Sequence, residues 1–196
     1  MVSPDPSITK TLSENKLGRG YRGIWYNLGQ DKGYGPKYSG GLGTYPANMV
    51  PMAVCDPREE RVYFVYGGSK PDNRKDLQIM IGTFDTKTHK LRRPTTIRDS
   101  GGLPDAHANP SIGMDDQGYI FVFSATRHDF EGRIYRSLNP RDTSGFEVVY
   151  TGYLAYPQPW FHPQRGWVLL HTQYHQGERH LYSQRSPDGI HWDEPI

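Results

Sequence analysis

Cysteine is nearly absent from this 196-residue chain: Cys55 stands alone, so no disulfide can close within it. Its apolar surroundings point to a buried, inert thiol. Apolar runs are short as well, and none approaches the roughly 18 residues that a membrane-spanning helix requires. Charge of one sign is also missing, because 23 basic residues face 21 acidic ones and the formal balance is +2. Neither a nucleic acid nor a membrane is expected as a partner, although a local basic patch can still meet an acidic ligand. The opening residues, Met1 to Pro6, carry neither the basic nor the apolar region of a secretory signal.

Turn formers and aromatics are plentiful instead. The chain holds 22 Gly, 16 Pro and 14 Tyr, aromatics make up 13%, and apolar residues only 35%. That balance suits many short strands joined by turns, and it suits helices badly, since Gly and Pro cost about 1 and 3 kcal/mol in a helix interior. The length fits one domain.

Three segments echo one another. Asn48 to Pro57 leads into Arg61 to Gly67, Asn109 to Asp116 into Gly118 to Ser124, and Gln158 to Pro163 into Gly166 to His171. Each is a short strand, a turn rich in Asp, Pro or Gly, and a stronger aromatic and β-branched strand, which is a hairpin signature. A second hairpin follows each: Leu77 to Leu91, Gly132 to Val149, and His180 to Trp192. The turn positions Asp56, Asp115 and His162 recur at intervals of 59 and 47 residues, a spacing suited to the four-stranded blades of a β-propeller. The expected fold is therefore all-β, with residues 1–18 as a tail and 19–196 as about three blades. Because propellers close with four to eight blades, the chain is expected to be an N-terminal part of a longer protein, a monomer when complete. The turn Ser186-Pro187-Asp188-Gly189-Ile190-His191-Trp192 resembles the Asp-box, or BNR repeat, one residue shorter than usual. There the Asp caps turn amides and the Trp packs beneath the hairpin.

Blade topology sorts the polar residues between two ends. Segments entering first strands and loops leaving second strands share one end. To it fall Tyr45, Asn48, Asp105, His107, Asn109, Tyr156 and Trp160, with Tyr66, Arg127, His128, Asp129, His171, Tyr174 and His175 from the loops. His89 and His191 fall on the other end and read as structural. Each candidate also has an ordinary reading: His107 as a turn cap, His128 as a solvated loop residue, Tyr156 and Tyr174 as packing residues, Arg185 as half of an ion pair. No tight metal-ligand spacing occurs, His171 and His175 lying on a strand-to-loop segment, so no metal site or cofactor is evident.

Gly20 to Tyr26, Lys37 to Pro46, Asp105 to Ile112 and Tyr156 to Trp160 together resemble the BNR-repeat propeller family that includes ulvan lyases. The resemblance runs from about residue 18 to the end. It implies a seven-bladed propeller that cleaves an acidic, sulfated polysaccharide by β-elimination at a uronic acid, in a secreted or periplasmic setting. A structural metal in a C-terminal part is compatible with it. His107 and His128 then look like the family's histidine pair, Tyr174 its catalytic tyrosine and Arg185 its carboxylate-binding arginine. Arg127, Asn109, Tyr156 and Trp160 are candidates for substrate contact. The residue types fit the chemistry: a cation holds the carboxylate while an enolate-like anion forms, a base removes the proton, and an acid protonates the leaving oxygen. Two rivals remain: a sialidase-like glycoside hydrolase, which needs carboxylate catalysts, and a non-catalytic glycan-binding propeller.

Overall fold

The computed structural model describes residues 49–69, 77–99, 101, 106–127 and 130–196. The tail at 1–18, the motifs at 20–26 and 37–46, and Tyr45, Asn48, Asp105, His128 and Asp129 lie outside them.

Strands form where apolar and aromatic residues alternate between turns. The first sheet comprises β1 (Ala53–Asp56), β2 (Arg61–Ser69), β3 (Leu77–Asp85), β4 (Lys90–Leu91) and β5 (Thr95–Asp99). The second comprises β6 (Pro110–Met114), β7 (Ile120–Ser124), β8 (Gly132–Ser137) and β9 (Phe146–Gly152), and the third β10 (Ala155–His162), β11 (Gly166–His175) and β12 (Glu178–Ser186). Strand pairs are all antiparallel and join sequential strands, except that β5 returns to β3 beyond the short β4. The expectation of four strands per unit holds strictly only for the second sheet. In the third, the segment after the Ser186–Trp192 turn is too short to count as a strand. It still runs along β12, Asp193 N–H donating to the Arg185 carbonyl and Ile196 exchanging both backbone bonds with Ser183.

Side chains alternate across a strand, and β7 shows what the alternation builds. Ile120 and Val122 face the first sheet and pack with Tyr63, Val65, Ile79 and Ile81. Phe121 and Phe123 face the third and pack with Trp167 and Leu169. All five β7 residues are buried, so the second sheet lies between the other two with a core on each face. Gly113 is required by this packing, because a Cβ there would meet the indole of fully buried Trp167. The leading strands are neighbours, β6 touching β1 on one side and β10 on the other. One bond ties each side: Ile112 N–H donates to the Pro51 carbonyl at 2.9 Å and the Ser111 hydroxyl to the Pro157 carbonyl at 2.8 Å.

The repeated turn positions do a common job. Asp56 accepts the Arg58 amide, Asp115 the Tyr119 amide, and His162 Nδ1 the Gln164 amide. At the Ser186–Trp192 turn, Asp188 accepts the amides of Ile190 and His191, and Trp192 Nε1–H donates to the Gly189 carbonyl. Slight burial opposes ionisation of Asp188, but the His191 and Ile190 contacts outweigh it and hold the carboxyl well below the usual carboxylate range.

Two expectations are corrected. Cys55 is exposed, because β1 turns Asp56 inward and its neighbour outward. Tyr66 is no loop residue but a buried position of β2.

Candidate functional site

The end of the sheets opposite the Asp turns carries a pocket lined by His107, Thr126, Arg127, Tyr153, Ala155, Tyr156, Tyr174 and Arg179. Its components arrive from four places in the chain. His107 sits in a single 3-10 turn, Ala106–Ala108, just before β6. Arg127 stands beyond β7 and pairs with Phe130 through two backbone bonds of 2.9 Å.

Tyr156 comes from an irregularity in β10, where the register with β11 slips between Ala155 and Gln158. Its φ of 54° lies in the left-handed region, which is sparsely occupied by bulky residues and costs on the order of 1 kcal/mol. The bulge re-aims the phenol into the pocket. There its ring meets the His107 imidazole edge-on, the centroids 6.2 Å apart.

Tyr174 and His171, loop residues by the sequence pattern, both lie within β11, which continues to His175 and turns back through Gln176 and Gly177 into β12. The two turn residues have φ of 51° and 85°, as a two-residue hairpin turn of primed type requires. That turn puts Arg179 directly across from Tyr174. The guanidinium donates to the Tyr174 hydroxyl at 2.7 Å and lies 4.8 Å from the centroid of the Tyr156 ring. Partial burial works against the charge on Arg179, but the phenol oxygens of Tyr174 and Tyr156 outweigh it and raise the group above the ordinary arginine value. The last three cross-strand pairs, from Gln173↔His180 to His175↔Glu178, extend past the final β10 partner, Thr172.

The structure thus gathers His107, Arg127, Tyr156 and Tyr174. Other described candidates stand elsewhere, and His128 lies outside the described residues. Arg185 pairs with Val168, six residues along β11 from Tyr174 and therefore about 20 Å away. Trp160 pairs with Val168 on the same outward face, far from the pocket and exposed. Asn109 turns toward Gly67 of the first sheet, whose missing Cβ makes room for its amide. His171 points into the interface between sheets two and three and is buried. Arg179, Thr126 and Tyr153 are additions that the sequence pattern alone does not single out; for Arg179 the available signal is the Gln176-Gly177 turn, which fixes the 174↔179 pairing by itself. Among the described residues no three His, Cys, Asp or Glu side chains converge to hold a metal.

Neither a family model nor a curated protein matches the sequence. Solved structures do. An ulvan lyase of polysaccharide lyase family PL25 is similar with a TM-score of 0.62 at 20% identity, over 76% of this chain and 37% of that one. The same lyase bound to the oligosaccharide -[GlcA(1-4)Rha3S]- gives 0.61 at 20% identity with the same coverage. Polysaccharide lyase Uly1 gives 0.53 at 11% identity, over 80% of this chain and 42% of that one. The chain therefore shares its all-β fold with polysaccharide lyases and spans well under half of their length.

Proposed function

We propose that the chain is part of a propeller-fold polysaccharide lyase that cleaves an acidic, uronate-containing glycan by β-elimination. One observation carries this reading: a guanidinium bridges two tyrosines, with an imidazole at the edge of one of them, in an open pocket. An arginine has five N–H donors, and the bond to Tyr174 uses one. Others can meet a uronate carboxylate and stabilise the enolate-like anion that forms when the adjacent proton leaves. Arg179 takes the role that the sequence alone assigned to Arg185, and Arg127 faces it from the β7 loop. His107, with His128 beside Arg127 in the chain, serves as proton acceptor. Tyr174 donates to the departing glycosidic oxygen, and the Arg179 bond stabilises the charge left on its own oxygen.

The similarity to lyase structures, one of them holding a GlcA-containing oligosaccharide, supports the reading. So does the side-by-side succession of leading strands β1, β6 and β10, as expected of successive blades. A glycosidase of the sialidase type is disfavoured by the pocket's lining, in which no described residue is a carboxylate. The test is to incubate the protein with polyuronates, sulfated and unsulfated, and follow the ultraviolet absorbance of an unsaturated uronate end. Reducing ends appearing without that absorbance would show hydrolysis and overturn the proposal.

A further inference from the structure

A second basic cluster lies beside the pocket. Arg98 of β5 and Arg133 of β8 approach each other where the first and second sheets meet, with the Tyr135 hydroxyl between them. The Arg98 guanidinium lies 3.6 Å from the centroid of the Phe130 ring and donates to the Glu131 carbonyl at 2.6 Å. Arg133 donates to the Glu131 carboxylate at 3.2 Å. Two cations thus engage one residue, whose carboxylate is itself largely exposed.

Buried polar atoms are normally satisfied. Here the Tyr135 oxygen, on a side chain 5% exposed, has only the two guanidiniums beside it, which can donate to it but cannot accept its O–H, and Arg133 Nε meets no acceptor among the described residues. A purely structural strut would leave neither donor idle. Phe130 supplies the link to the pocket: its ring carries Arg98, and its backbone is bonded to Arg127, which lines the pocket.

We propose that Arg98, Arg133 and the Tyr135 hydroxyl form an oxyanion subsite that takes a sulfate ester or carboxylate of the polymer outside the reacting sugar. Guanidinium forks match the paired oxygens of such groups, and a phenol adds a third donor. Burial keeps the Tyr135 hydroxyl protonated, its pKa raised despite the two arginines, so it remains a donor. Burial, followed by the charge of Arg133, disfavours the cation on Arg98, and a bound anion would relieve both. That the anion belongs to a glycan rests on the lyase reading; the anion site itself does not.

Titrating inorganic sulfate, and separately acetate, into the folded protein tests it, with the arginine side-chain Nε–H resonances as readout. Saturable shifts at Arg98 and Arg133 are expected. Arg133→Gln is expected to weaken binding about tenfold, and Tyr135→Phe, which leaves the packing intact, severalfold. Saturation by sulfate alone assigns a sulfate ester, and by acetate alone a carboxylate. Absence of saturation with both ions, or unchanged affinity in both folded variants, overturns the subsite. A chain that binds the ion through these residues yet cleaves no polyuronate overturns the lyase reading and leaves the subsite standing.

Discussion

Asp56 and Arg141, 85 positions apart, meet at 2.7 Å where the turn ends of the first and second sheets come together. Asp56 is almost fully buried, and the Arg141 side chain is 21% exposed. The arginine is fixed from several sides: its amide donates to the Gly118 carbonyl, its Nη1 to the Gln117 carbonyl, and its own carbonyl accepts the Tyr63 hydroxyl. Gly118 has no Cβ where that guanidinium passes.

Arg141→Ala is therefore expected to destabilise the chain by about 2 kcal/mol, because it strands a buried carboxylate; the figure is held below that of a wholly buried pair by the partial exposure of the arginine. Urea unfolding measures it. A loss near that of an ordinary surface pair would show that water satisfies Asp56.

Gly113→Ala is expected to cost a similar amount, about 2 kcal/mol, since the new methyl would meet the Trp167 ring, which has no room to retreat. Near-ultraviolet circular dichroism reports whether the indole shifts. An unchanged melting curve would contradict the tight approach of the second and third sheets.

Arg179→Ala is expected to lower lyase turnover by a factor of about 100 or more, as loss of a transition-state donor does, whereas Arg185→Ala stays close to the parent. Initial rates on a polyuronate decide between them. Equal losses would return the carboxylate-binding role to Arg185.

His171 gives a pH signature. Burial lowers its pKa from the ordinary 6.5, and contacts with Gln184 and the Thr172 backbone compensate only in part. Between the lowered folded value and 6.5 the unfolded chain binds more protons, so stability rises with pH through that window and falls on acidification through it. Denaturation midpoints across mildly acidic pH check this. In His171→Gln that slope is expected to flatten, while the contribution of Asp188, whose carboxyl is held low, is lost only at more acidic pH.

The hairpins are legible in the sequence because their turns carry chemistry: the side chains of Asp56, Asp115 and His162 each cap a backbone amide two to four residues further along. The end at which His107, Arg127, Tyr156 and Tyr174 meet comes from strand order alone. Arg179 escapes a sequence reading that ends the strand before Tyr174, because a loop residue has no cross-strand partner and the far side of Gln176-Gly177 then carries no signal. Once β11 runs to His175, the alternation that places Tyr174 outward also places Arg179 beside it, and removes Arg185 by the length of the hairpin. Cys55 is misplaced for a related reason: local apolarity gives no information about which face of an edge strand is covered.

The outer rungs of the β11–β12 hairpin, past Thr172, have a consequence of their own. Tyr174 and Arg179 stand on a two-stranded ribbon with no third strand among the described residues to brace it. Such a ribbon can peel open without disturbing the Trp167 core several rungs away, so amide exchange there is expected to outpace that of β7 by orders of magnitude. A chain that keeps its full circular dichroism can then already have lost its arginine–tyrosine pair. Catalytic competence would fade under mild denaturant before the fold does, and an anionic polymer that engages Arg179 would stiffen the tip it binds.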